Sequence, residues 1–180
     1  MIVALAGRRV DAKDQEYPRF PSAFEVIAAV RHRIRHKFRE LGATVLVSSA
    51  ACGADILALE EAAILHMRRR VVLPFDREKF RLTSVTDRPG NWGALYDTVL
   101  DEVQAADDLI ILPPVRKEKV YLETNHHIIS EALSLSKSLQ NPVVAVLVWE
   151  GKSRGEGDLT EEFGHHAKMQ GLPLHEVLIC

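Results

Sequence analysis

Along this chain, short unbroken apolar runs alternate with longer stretches whose apolar residues recur at helical spacing. The runs are IVALAG from Ile2, TVLVSS from Thr44, RVVLPF from Arg70, LIILPP from Leu109, VVAVLVW from Val143 and a weaker LHEVLI from Leu174. Runs without polar alternation predict strands covered on both faces, the pattern of parallel strands joined by helical crossovers. Between them, Ile27, Val30, Ile34, Phe38 and Leu41 mark one helical face, and Ile56, Leu59, Ala63 and Met67 a second. Trp92, Leu95, Tyr96, Val99 and Val103 mark a third, and Ile128, Ile129, Ala132 and Leu133 a fourth. A weaker fifth stretch runs from about Leu159 to Gln170. Apolar residues three and four apart fall on one side of a helix, which fits helices packed on a sheet.

This alternation predicts an α/β fold, a single Rossmann-like doubly wound domain over residues 1–180, with a mainly parallel sheet of five to seven strands flanked by helices. In such folds ligands sit beyond the carboxyl ends of the strands, near helix N-termini. Three bends therefore draw the eye: after Ala6, after Ser49 and after Trp149. The stretch from Arg8 to Pro21 is expected to be an ordered loop over the sheet edge rather than a linker.

Composition narrows the function classes. A chain of 180 residues, 47% hydrophobic and 27% charged, suffices for one buried core and is short for two ordinary domains. A formal charge of −2 gives no global field to hold a polyanion, so nucleic acid is not the expected partner. Two cysteines, Cys52 and Cys180, make no disulfide framework. The N-terminus lacks a leader pattern, and no apolar run is long enough to span a bilayer. The expectation is a soluble, cytoplasmic protein without a membrane partner.

Each bend carries residues suited to an anion. In AGRRVD, Gly7 lets backbone approach a ligand, and Arg8 or Arg9 offers a planar fork of donors. In VSSAACGAD, Ser48 and Ser49 supply hydroxyls, Gly53 can take left-handed dihedrals, and the helix that follows offers free N–H groups. Asp55 at that helix start is either a cap or an acceptor for a ribose or base. In VWEGKSRGEGDLTEEF, Lys152, Ser153, Gly157 and Thr160 precede or open a helix. They resemble a phosphate cradle, although the lysine comes before the glycines, unlike the phosphate-binding loop of nucleotide hydrolases.

Other features have plainer readings. Cys52 before a helix is either a packing residue or a nucleophile with a lowered pKa. His32 and His36, four apart, share a helical face but are crowded by arginines, so no metal site is expected. His126–His127 and His165–His166 are adjacent pairs whose members diverge on a helix, so that one of each can approach the site. RHRIRHKFR, with Arg68, Arg69 and Arg70, reads either as a nucleic-acid stripe or as the solvent face of packed elements. Trp92 after RPGN fits a helix-start anchor.

Taken together, the bends resemble a Rossmann-like superfamily that includes the DNA-processing (DprA/Smf) proteins and the LOG phosphoribohydrolases (SLOG). LGATVLVSSAACGADILALEEAA is similar to the DNA-processing segment in which a strand ends in Ser-Gly, passes Ala-Arg-Gly-Ile-Asp and enters a helix. Gly53 and Asp55 fall on its Gly and Asp, with Cys52 where arginine is usual. AGRRVD resembles the family's first Gly-Ser-Arg turn, and Ser153 and Thr160 are the nearest matches to its later Ser-Gly-Ser-x-x-Thr turn. Where LOG enzymes carry Pro-Gly-Gly-x-Gly-Thr-x-x-Glu, this chain reads ILPPVRKEKVYLETNHH, with Glu123 as the stand-in acid.

The resemblance implies the nucleotide-sensor branch. Its consequences are binding or sensing of a nucleotide or nucleotide-derived small molecule, a homodimer or other homo-oligomer, and no cofactor. In that branch DAKDQEYPRFP forms a lid-like loop beside the first bend. The ligand set expected is Gly7, Arg8, Ser48, Ser49, Gly53, Asp55, Lys152, Ser153, Gly157 and Thr160. One alternative is a LOG-like phosphoribohydrolase acting on nucleoside monophosphates, with Glu123 or Glu161 as the positioned acid. A second is single-stranded DNA binding.

Overall fold

The computed structural model describes residues 1–114 and 119–180, so the ILPPVRKEKVYLETNHH segment is described except for residues 115–118. Six strands form at the six apolar runs: β1 (Ile2–Gly7), β2 (Val45–Ser48), β3 (Arg68–Leu73), β4 (Leu109–Ile111), β5 (Val143–Trp149) and β6 (Leu174–Leu178). All pair in parallel, in the order β4-β3-β2-β1-β5-β6. The helices are α1 (Phe24–Glu40), α2 (Ala54–Ile64), α3 (Arg77–Ser84), α4 (Trp92–Ala105), α5 (Val120–Leu139) and α6 (Leu159–Met169). This is a Rossmann-like α/β fold with an all-parallel sheet.

Strand alternation divides the core between two faces. Val3 and Leu5 of β1 point, with Leu46, Val71, Leu73, Val144 and Val146, toward α1, α2, α3 and α4. Ile2, Ala4 and Ala6 point, with Val45, Val47, Val72, Ala145 and Leu147, toward α5 and α6. Because both faces are covered, every residue of β1, β2 and β5 but Gly7 is buried, which is why these runs show no polar alternation.

The polar helix α3 has no apolar run to announce it. Asp76 caps it by accepting the Lys79 N–H at 2.9 Å, and Phe80 and Ser84 are its buried residues. Trp92 opens α4 as the expected anchor, buried, with Nε1 donating to the Pro89 carbonyl at 2.9 Å. The loop after β1 is ordered. Asp11 Oδ2 accepts the N–H groups of Arg19 and Phe20 at 2.8 and 2.7 Å, and the Phe20 ring is fully buried.

Two glycines bring the first and second bends into contact. A Cβ on Gly7 would lie 2.4 Å from Ala54 Cβ and 2.8 Å from the Val148 carbonyl. One on Gly53, whose φ is +96°, would lie 2.7 Å from the Arg8 carbonyl. Only side-chain-free backbone lets the start of α2 seat this closely on the end of β1. The seat is closed by the Ala54 N–H donating to the Arg8 carbonyl at 3.0 Å.

Candidate functional site

Where the strand order reverses, between β1 and β5, doubly wound folds open a crevice. Here that position is filled by the protein's own charges. Arg8 Nη1 and Nη2 donate to the two carboxylate oxygens of Asp158 at 2.5 and 2.8 Å, a bidentate fork. Its Nε donates to Glu150 at 2.6 Å, and Nη2 also reaches the Lys152 carbonyl at 2.9 Å. Arg19 Nη1 completes the cluster on Glu150 at 2.8 Å, while the Arg8 guanidinium lies 5.6 Å from the Trp149 ring centre. Burial alone would push the Asp158 carboxyl up. The Arg8 guanidinium and the backbone N–H groups of Arg154 and Glu161 instead hold it well below the usual carboxylate range. Glu150 is lowered in the same way, against burial, by Arg8 and Arg19.

Asp158 is also the N-cap of α6, its Oδ1 accepting from Thr160 N–H at 3.0 Å and Glu161 N–H at 3.2 Å. At the third bend, the N–H groups of Thr160 and Glu161 that open the helix are therefore spent on the chain's own carboxylate.

Beside this cluster, over the carboxyl ends of β1 and β2, lies a cavity of about 200 Å³. Leu5, Ala6 and Gly7 form its floor, with Ser49 and Ala51 from the second bend and Asp55 from α2. Phe80 and Ser84 of α3, Leu159 and Thr160 of α6 and Arg9 surround it. One face of α5 forms a wall through Tyr121, Thr124, Asn125 and Ile128. Tyr121 packs edge-on to Phe75 with ring centres 6.4 Å apart, and its hydroxyl lies 3.3 Å from Ser84 Oγ. Asn125 Nδ2 donates to the Leu159 carbonyl at 2.9 Å, tying α5 to the start of α6. Next along α5 from Asn125, the His126 ring stacks on His166 of α6 with centres 4.0 Å apart. Desolvation, then the neighbouring imidazole, lowers the His166 pKa.

Asp55 is the cavity's buried acid, 7% exposed. Its Oδ2 accepts from the Ala51 N–H at 3.2 Å, so it fastens the preceding bend instead of capping α2, whose N-cap position is Gly53. Burial raises its pKa to about 7, against the opposing pull of the Ala51 N–H and the Arg9 charge. Arg9 Nη2 is ion-paired with Asp87, and its Nε has no partner among the described residues.

Of the residues expected to hold a ligand, Gly7, Ser49, Asp55 and Thr160 meet at this cavity. Arg8 lies in the buried cluster, so the first-bend arginine at the cavity is Arg9. Ser48 is fully buried and donates to the Ser49 carbonyl at 2.9 Å. Gly53 is packed against the first bend. Lys152, Ser153 and Gly157 are exposed on the third bend, and Ser153 Oγ donates to the Glu161 carboxylate. Neither Glu123 nor Glu161 lines the cavity. Cys52 is fully buried, and burial pushes its thiol pKa up despite Arg9, the reverse of an activated nucleophile.

Phe80, Ser84, Tyr121, Thr124 and Asn125 were not anticipated. A signal for the α5 wall existed, since Tyr121, Thr124, Asn125 and Ile128 recur at the spacing of one helical face. Asp76 ahead of REKF was the signal for α3. Among the described residues, no group of three or more His, Cys, Asp or Glu side chains is placed to hold a metal ion. No helix among them is long and apolar enough to cross a membrane.

No protein-family model and no curated protein matches the chain. Among solved structures it is similar to DNA processing protein A (DprA) from Streptococcus pneumoniae, at 14% identity and a TM-score of 0.40. That likeness covers 96% of this chain and 57% of the other, so the chain spans little more than half the length of this neighbour.

Proposed function

We propose that the protein binds a nucleotide or nucleotide-derived small molecule in the cavity over the carboxyl ends of β1 and β2. The observation that carries this reading is the cavity's construction. Two aromatic side chains, Phe80 and Tyr121, line a ring-sized space together with a buried carboxyl, Asp55, and the polar groups of Ser49, Ser84, Thr124 and Asn125. Apolar enclosure with a few fixed polar groups is the usual make-up of a small-molecule site, and π faces suit flat heterocycles. The cavity lies at the sheet edge where doubly wound folds take ligands. The sensor role implied by the sequence resemblance fits the same place.

The test is a thermal-shift series, followed by calorimetry, with nucleobases, nucleosides, nucleoside monophosphates, dinucleotides and ADP-ribose. At least one class should raise the melting temperature in a saturable way, since a ligand that binds only the folded state stabilises it by mass action. A flat response to every class at millimolar concentration would overturn the reading.

A second reading, hydrolysis of an N-glycosidic bond, draws support from Asp55 rather than from Glu123 or Glu161. An acid whose pKa is raised to about 7 inside a cavity is matched to proton donation near neutral pH. Release of free base from nucleosides or nucleoside monophosphates, lost in Asp55→Asn, would establish it. No base released at high protein concentration would exclude it.

A further inference from the structure

The charges around the cavity say which end of a ligand it is built to accept. Among the described residues, two charged side chains line it, Asp55 and Arg9, and Arg9 already has Asp87 as its partner. A helix N-terminus attracts an anion through free N–H groups. At α6 those of Thr160 and Glu161 donate to Asp158, and at α2 that of Ala54 donates to the Arg8 carbonyl. An incoming phosphate would meet the Asp55 carboxyl at the cavity and find these helix-start donors already engaged.

The opposite holds for a neutral donor. Asp55 is nine-tenths buried and, among the hydrogen bonds of the described residues, accepts a single one, the 3.2 Å bond from Ala51. A carboxyl group has acceptor sites for more than one donor, and buried polar groups are costly to leave unmatched. A hydroxyl or amino group on the ligand fills that capacity without adding charge. The cavity's 200 Å³ falls below the roughly 300–1,000 Å³ of sites that enclose drug-sized ligands, and so suits a ring system rather than a whole nucleotide.

We propose that the cavity selects the uncharged nucleoside portion of its ligand: Asp55 accepts from its hydroxyl or amino groups, its ring lies against Phe80 and Tyr121, and any phosphate remains outside. This rests on the small-molecule reading above and specifies it.

The experiment compares adenosine, guanosine, cytidine and uridine with their monophosphates and with inorganic phosphate, by calorimetry on the wild-type chain. The best-binding nucleoside should bind as tightly as its monophosphate or more tightly, and inorganic phosphate should neither stabilise the protein nor compete. Asp55→Ala should weaken that nucleoside by about tenfold, the size of one well-placed buried hydrogen bond. A monophosphate that binds more than about threefold tighter than its nucleoside, where both are well above detection, would overturn the proposal. So would competition by phosphate, or unchanged nucleoside affinity in a folded Asp55→Ala protein. If that variant does not fold, the wild-type comparison decides. A flat response to all probes removes the binding reading itself. Tight monophosphates with silent nucleosides leave that reading standing and remove only this one.

Discussion

At the scale of single residues, Asp55 is where function and stability pull in opposite directions. The sequence left it as a helix cap or a ligand contact, because both roles place a carboxylate at the first turn of α2. The structure gives a third arrangement, a buried carboxyl bonded to the Ala51 N–H and facing the cavity. Which of these a first-turn aspartate adopts depends on what packs around the start of the helix, and here that is the first bend, far away in sequence. Its pKa is raised to about 7 from an ordinary value of 3.8. Between those values the folded state binds more protons than the unfolded state, so the stability tied to this group is full below about pH 4. It is lost as pH rises through about 7. Asp55→Asn removes the cost of ionisation while keeping the shape. Its unfolding free energy should match or exceed that of wild type by a margin that grows from pH 4 to pH 8, on the order of 2–4 kcal/mol at the upper end. Melts at the two pH values check this, and a margin that stays flat with pH would show that Asp55 is ionised at no such cost. The same substitution should weaken ligand binding, so a more stable, less competent protein is the expected signature.

At the scale of elements, the apolar runs and helical stripes located, among the described residues, all six strands and five of the six helices, because burial on both sheet faces writes itself directly into composition. The exception, α3, is polar, eight residues long and held by a cap and by Phe80, so its signal is a single aspartate rather than a stripe. The bends were legible as bends but not in their wiring. Arg8, expected to reach a ligand, instead joins the end of β1 to the start of α6 and the end of β5 through Asp158 and Glu150. Its partners lie 150 and 142 residues away, a separation that no local pattern reveals. Removing one side of a buried pair strands the other, so Arg8→Ala should cost about 3–5 kcal/mol in urea unfolding. Arg8→Lys should recover only a minor part, because a single ammonium cannot reproduce the fork on Asp158 together with the Nε bond to Glu150. Full recovery by lysine would mean that the charge, and not the fork, holds these elements together.

At the scale of the whole molecule, strand order decides where a ligand can enter, and charge pairing decides what kind of partner can approach. The sheet reverses between β1 and β5, yet the Arg8 cluster occupies that crevice and the open cavity stands over β1 and β2. Sequence could name the sheet edge but not this displacement, which follows from side chains meeting across the reversal. The same pairing reaches the basic runs. Arg31 and Arg35 meet the buried Glu61, Arg31 also meets Glu60, and Arg33 donates to the carbonyls of Leu178 and Ile179. Arg68 and Arg70 share Asp108, while Arg69 meets Glu102. A nucleic-acid stripe works by releasing counterions as lysines and arginines neutralise phosphates. Arginines already neutralised by carboxylates have little to exchange, and 25 acidic residues outnumber 23 basic ones. A fluorescent single-stranded oligonucleotide should therefore show no binding by anisotropy at micromolar protein and about 0.15 M salt, where surface fields fade within about 8 Å. Micromolar or tighter binding that weakens steeply with salt would show that the intramolecular pairs yield to phosphate, and would turn attention from the cavity to the arginine face of α1 and β3.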